Sequence, residues 1–306
     1  MQMAPASRFP LAVFLHCDRE SGQVNVWRVR DMPRINEQNN GRGRMPKEFA
    51  GKVVVVSGGS RGIGRAIALA FAREGAQTVL AAANAANLTD AAKAIAAAGG
   101  LSPLTIAGDL RTLDGCQQVF DQVKQRFGRC DVLVNNAGAT KGGKFSDQPD
   151  ADWTDGFALK FFGAVRLTRL FWPLLKDAHG SIVNIIGAAA RTPGPEFLVG
   201  GAVNAAFANF SKGLTAMGNK DDININVIHP GSTQTDRVEQ LYAQYAKAQD
   251  KTVEQVRAEA VSKSGLRRIG QPEDIAELAL YLASPKARHI QGTAIVVDGG
   301  GTPGYY

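Results

Sequence analysis

The sequence is poor in cysteine: Cys17, Cys116 and Cys130 are the only three among 306 residues. Three is an odd number, and their spacing fits no metal-ligand pattern, so neither a disulfide scaffold nor a metal site is expected. A reducing, cytoplasmic setting follows. Apolar runs are short as well. None approaches the roughly 18 residues that a membrane-spanning helix needs, so no membrane partner is expected. A basic block is missing too: the net charge is +7, but the Lys and Arg residues are scattered among acids. That pattern reads as a solvated surface and not as a nucleic-acid-binding face. Internal repeats and low-complexity tracts are absent, since the Ala-rich stretch from Ala81 to Ala98 reads as strand end, turn and helix.

What the chain does contain divides unevenly. Residues 1–45 hold a short apolar stretch, Leu11 to Leu15, and then Arg-rich polar sequence ending Asn39-Asn40-Gly41-Arg42-Gly43-Arg44. Acids interrupt it and no small-residue cleavage site follows, so a signal peptide is not expected. It reads as a loosely structured extension, with Met45 an alternative start and a targeting role the weaker reading. Residues 46–306 read as one domain. From Lys52 onward, β-branched runs alternate with helix-length amphipathic segments: Val53–Val56, Thr78–Ala81, Leu104–Ala107, Val132–Val134, Ile182–Ile186, Asn224–Ile228 and Ala294–Val297. This alternation predicts an α/β fold, a doubly wound, seven-stranded parallel sheet of the Rossmann type in three layers. Right-handed crossovers gather the loops at the strands' carboxyl ends, where such sheets bind ligands.

Directly after the first of these strands comes Ser57-Gly58-Gly59-Ser60-Arg61-Gly62-Ile63-Gly64, followed by a helical run. Glycine lets the backbone turn tightly and approach a pyrophosphate, while the helix N-terminus offers free N–H groups. The spacing departs from the usual dinucleotide fingerprint. Five further motifs follow in order: Asp109-Leu110, Asn135-Asn136-Ala137-Gly138, His229-Pro230-Gly231 with Thr233 and Thr235 after it, Gly270-Gln271-Pro272-Glu273-Asp274-Ile275, and Val297-Asp298-Gly299-Gly300. With this series the chain after residue 46 resembles the short-chain dehydrogenase/reductase family.

The resemblance implies a nicotinamide dinucleotide held by Gly58, Ser60, Arg61, Gly62, Ile63 and Gly64 at the pyrophosphate. Asp109 and Leu110 would lie at the adenine, and Asn136, Ala137 and Gly138 along the adenosine and ribose. Pro230, Gly231 and Thr235 would lie at the nicotinamide end. A small-molecule substrate and a homo-dimer or homo-tetramer are implied with it. NADP is expected over NAD, because the second strand ends Ala81-Ala82-Ala83-Asn84 with no acid to repel a 2′-phosphate, and Arg61 lies within the glycine loop.

The family's catalytic residues are where the sequence departs from the pattern. It ordinarily uses a Ser, a Tyr about a dozen residues on, a Lys four residues after that, and an Asn on the preceding long helix. Aligned on the strand Ser181–Ile186, those places hold Gly187, Gly200, Asn204 and Lys160. A rival register pairing Lys212 with the family lysine puts Ala208 at the tyrosine and requires an insertion, so it is rejected. Asn and Lys have changed places, which predicts that Lys160 reaches into the site and hydrogen-bonds Asn204. A partly desolvated lysine can donate a proton or act as a fixed charge on an oxyanion. Tyr242, Tyr245, Tyr305 and Tyr306 are weaker candidates for an acid, and Arg191 or Glu196 for substrate contact. The segment Pro193–Phe197 and the helical stretch Val238–Val261 should shape the pocket, which the two glycines should leave open. The leading expectation is an NADP(H)-preferring oxidoreductase acting on a carbonyl or alcohol through an atypical site. The alternative is a non-catalytic dinucleotide-binding protein, a redox sensor or partner subunit.

Overall fold

The computed structural model describes residues 13–17, 24–28 and 47–303. The chain divides into two units, Met1–Met45 and Pro46–Tyr306. In the first, β1 (Val13–Cys17) and β2 (Val24–Arg28) pair antiparallel, with Leu15 opposite Val26. Regular structure was not expected there; both pentapeptides are rich in the β-branched and aromatic residues that pleated strands favour. The remaining expectation for this extension lies outside the described residues.

The second unit is built on seven parallel strands: β3 (Val53–Ser57), β4 (Gln77–Ala82), β5 (Leu104–Ala107), β6 (Val132–Asn135), β7 (Ser181–Ile185), β8 (Asn224–Pro230) and β9 (Ala294–Val297). They lie in the order β5-β4-β3-β6-β7-β8-β9, so the winding reverses between β3 and β6. Each strand of the expected set is present. Strand β3 shows why both faces must be covered. Val54 and Val56 point into a core with Phe71 of α1 (Gly62–Arg73) and Leu282 of α10 (Pro272–Ala283). Val53 and Val55 point the other way, towards Val119 of α3 (Leu113–Phe127) and Phe171 of α5 (Gly163–Asp177). All four valines are buried, each contributing about 1.5–3 kcal/mol of transfer free energy.

Polar bonds brace the sheet beneath its carboxyl edge. Asn135 of β6 donates to Asn184 of β7 at 2.9 Å and to Thr168 of α5 at 3.1 Å, and Asn184 donates to Ser211 of α6 (Leu198–Gly213) at 2.9 Å. At the opposite edge the buried Asp131 accepts from the Val53 amide at 2.9 Å and pairs with Arg129 and Lys52. Among the described residues, no helix is long and apolar enough to cross a membrane.

Candidate active site

The break in winding between β3 and β6 opens a cleft of about 800 Å³ at the carboxyl ends of the strands. Its floor is the turn from β3 into α1. Gly58 and Gly62 adopt φ of +66° and +53°, a left-handed backbone that glycine tolerates. A Cβ on Gly58 would lie 2.9 Å from the Ala137 Cα, and one on Gly64 would collide with the Gly58 carbonyl and the Asn136 amide. The two lips of the cleft are tied together. Ser57 Oγ accepts from the Asn136 and Ala137 amides at 3.0 and 3.1 Å, and Asn136 Nδ2 donates to the carbonyls of Ser57 and Gly58. Helix α1 then starts with no acid in its first turn and no side chain capping it, so its first amides remain available to an anion.

At the outer end, Asp109 accepts from the backbone and guanidinium of Arg111 at 3.0 and 3.1 Å. The Arg111 amide bond is the main reason its carboxyl titrates below the usual range. Arg111 also pairs with Asp155, which leaves a cation fixed on this wall. Ala82 and Ala83 line the cleft and Asn84 caps α2 (Ala85–Ala97), its side chain accepting from Asn87 at 2.9 Å. Arg61 is exposed at the mouth.

The inner end is formed by β7, β8, α6 and the long helix before β7. That helix runs through α4 (Asp150–Gly156), a π-helical segment Phe157–Phe162, and α5. Such wide turns are frequent at functional sites. This one carries Lys160, whose stem covers Gly138: a Cβ there would lie 2.9 Å from Lys160 Cδ. The ammonium donates to the Ile186 carbonyl. The expected bond to Asn204 is not formed, since Asn204 Oδ1 is buried and accepts no hydrogen bond. Its amide instead lies against Gly187, where a Cβ would meet Nδ2 at 3.0 Å. Gly187 holds φ of +126°, a conformation in which a serine would be strained. Below it, the buried His229 donates through Nδ1 to the Gly187 carbonyl at 2.8 Å. Burial lowers its pKa, that hydrogen bond opposes the shift, and the charges of Arg191 and Lys160 add to the lowering, so the imidazole stays neutral at pH 7.

The pocket is not left open by its glycines. Phe197, half-buried, lines the cleft, and its ring stands where a side chain on Gly200 would project. Of the cofactor positions and the four aligned catalytic positions, all line this cleft except Gly64, packed beneath the turn, and Gly200, covered by Phe197. Tyr242 does not reach it: it lies in a separate cluster with Ala246 and Val256 where α8 (Asp236–Gln249) meets α9 (Val253–Ser264). Arg191 and Glu196 are exposed and outside the lining. The side chains of Tyr245, Tyr305 and Tyr306 lie outside those described. Lys212, the rival lysine, donates to the Gly292 carbonyl and is not part of the cleft.

Two motifs proved to be scaffolding. Gln271 and Asp274 form a capping box on α10, and Gly270 accepts from Gln234 at 2.7 Å, pinning the loop that carries Thr235. Asp298 accepts from the amides of Gly300 and Thr302 and packs against Gly231. Ser57, Arg111, Ala188, Ala189 and Thr192 were missed as site residues; only the first had a signal, its place at the end of a strand before the glycines.

A sequence profile described as enoyl-(acyl carrier protein) reductase matches residues 58–302. The chain belongs to the short-chain dehydrogenase/reductase family. It is 35% identical over 251 residues to an uncharacterized oxidoreductase of Mycobacterium tuberculosis, covering 81% of this chain and 91% of that protein. It is 30% identical over 252 residues to the 3-oxoacyl-[acyl-carrier-protein] reductase of Thermotoga maritima, covering 82% and 97%. The crystal structure of L-sorbose reductase from Gluconobacter frateurii, complexed with NADPH and L-sorbose, superposes with a TM-score of 0.82 at 31% identity. It covers 85% of this chain and all of that one.

Proposed function

We propose that this short-chain family member is an NADP(H)-preferring oxidoreductase that reduces a carbonyl, or oxidises the corresponding alcohol, without the family's usual proton donor. The observation that carries the reading is the glycine cradle: Gly58 and Gly62 take left-handed φ, and a Cβ on Gly58 or Gly64 would run into the Ala137 backbone or the Gly58 carbonyl, so only glycine closes this turn against the uncapped start of α1. The cradle suits a pyrophosphate. NADP is preferred over NAD because no acid follows β4 and Arg61 stands at the mouth, and the sorbose reductase that shares this fold holds NADPH. When bound, the dinucleotide supplies a hydride from its nicotinamide.

The chain's own residues orient and polarise. Pro230, Gly231 and Thr235 flank the nicotinamide end, with the Thr235 methyl against Gly62. Asn204 Oδ1, buried without a donor, accepts from a ligand hydroxyl or amide. The Lys160 ammonium stands as a fixed positive charge for the oxyanion that develops as the carbonyl is reduced. A homo-oligomer, on family grounds, and a cytoplasmic setting, from the few and odd-numbered cysteines, are part of the proposal. NADPH fluorescence titration, followed by NADPH consumption over ketones, aldehydes, quinones and enoyl compounds, tests it. Binding with turnover is the expected result. Binding without turnover across the screen favours the non-catalytic reading, towards which the Phe197 ring over Gly200 points.

A further inference from the structure

Lys160 is presented by a helix that is wider in its middle than at its ends, and one residue outside that helix grips both arms. What this implies rests on the NADP reading above. A π turn closes its hydrogen bonds over one residue more than an α-helix does, so it stores a residue that a relaxed helix would pass along its length. Phe157–Phe162 is such a segment, between α4 and α5. Where the stored residue sits decides which side chain faces the cleft, because a shift of one position turns a helix by about 100°.

Arg111, in the turn between β5 and α3, holds this register. Its guanidinium forks onto Asp155 of α4, ahead of the π segment. Its carbonyl accepts from Arg166 of α5 at 2.6 Å, beyond the segment. Beside it, the Leu110 carbonyl lies 2.9 Å from where a Cβ on Gly163 would stand, so the turn packs directly on the helix backbone. With both arms fastened to one residue, the wide turn cannot migrate without breaking a tie. Lys160 therefore stays over Gly138, its ammonium on the Ile186 carbonyl. The same guanidinium donates to Asp109 Oδ1 at 3.1 Å, and the Arg111 amide donates to that oxygen at 3.0 Å. The other carboxylate oxygen is left for a donor on the ligand.

We propose that Arg111 is a positioning residue that couples the adenine end of the cleft to Lys160. A ligand amine on Asp109 fixes the carboxylate in the orientation that bonds Arg111. Arg111 in turn holds Asp155 and Arg166, and with them the π turn that carries the ammonium. The two ends of the cleft share free energy through these ties, and such coupling is reciprocal. Each tie is a partly exposed ion pair or a single hydrogen bond, so the effect is modest.

The reactivity of Lys160 itself is the readout. Trace acetic anhydride labels lysine amines, and mass spectrometry gives the rate at Lys160 relative to Lys212, which also donates to a backbone carbonyl but lies outside the cleft. Saturating 2′,5′-ADP, which carries the adenine end and no nicotinamide, should slow labelling of Lys160 in the native protein about threefold, a size that a partly exposed ion pair supports. Arg111→Met and Asp155→Ala should each speed labelling of Lys160 by a similar factor and remove the response to 2′,5′-ADP. Arg111→Lys, a point charge that cannot fork, should keep part of it. Thermal unfolding reports that each variant is folded. Asp155→Ala leaves Asp109 in place, so its retained 2′,5′-ADP affinity separates the tie to the helix from the shape of the adenine wall. Labelling that ignores 2′,5′-ADP in the native protein, or that is unchanged in both variants, overturns the proposal. So does a response that persists in both, which would mean simple shielding of the cleft. In each case binding of 2′,5′-ADP leaves the NADP reading standing; failure of the native protein to bind it overturns that reading and the coupling with it.

Discussion

The ring of Phe197 occupies the space into which a side chain on Gly200 would project. The two residues lie one turn apart at the start of α6, so loop and helix are fitted to each other. Helical glycine is worth roughly 0.5–1 kcal/mol less than alanine. Gly200→Ala should therefore stabilise the protein by about that amount in a Phe197→Ala background, where the ring is gone. In the native background the collision should erase the gain. Urea denaturation of the four proteins gives the coupling, and equal effects in both backgrounds would show that the ring does not hold this place.

The phosphate turn has no such freedom, because its neighbours are backbone. A Cβ on Gly64 meets the Gly58 carbonyl. Gly64→Ala should lower NADPH affinity at least about tenfold, with a stability loss of about 1–3 kcal/mol from the overpacked turn. Fluorescence titration and thermal unfolding measure the two effects separately.

Coenzyme choice turns on charge beside β4. Ala83→Asp places a carboxylate at the cleft edge and should cut NADPH affinity about tenfold or more while sparing NADH. Arg61→Ala should weaken NADPH by a similar factor and leave NADH unchanged. Equal losses for both coenzymes in either variant would remove Arg61 and the missing acid as the determinants.

Asp131 supports the sheet from the far edge. Burial pushes its carboxyl pKa up, but Arg129, the Val53 amide and Lys52 outweigh that and hold it below its ordinary value. A carboxyl with a depressed folded pKa stabilises above its unfolded pKa, near 3.9, and loses the contribution as pH falls through the lower folded value. Asp131→Asn should therefore cost about 2 kcal/mol at pH 7, after discounting the exposed Lys52 and Arg129, and progressively less below pH 4. Urea midpoints between pH 3 and 7 would show the curves converging in acid; parallel curves would refute the assignment.

Much of the sheet could be read from the chain because its signals are local. Val53 to Val56 is apolar at every position, which only a strand covered on both faces requires, and the glycines after it mark a turn no other residue would make. Boundaries were less legible: β8 runs on to Pro230, since its pairing with β9 continues past the β-branched run. The candidate site was legible as positions and not as contacts. Lys160 could be placed on its helix and Asn204 on another, but the bond between them could not be foreseen to fail.

The alternation of β-branched and amphipathic segments, together with a glycine-rich first turn, is enough to specify a doubly wound sheet with a phosphate-sized cradle at its break, since both depend on residues adjacent in the chain. The destination of the Lys160 ammonium, 26 residues away at the Ile186 carbonyl, was decided only by tertiary structure. So was the neutral imidazole under Gly187. Each depends on how a π-helical turn, a strand end and a loop meet in space, where burial and packing choose among partners that the order of residues leaves equally available.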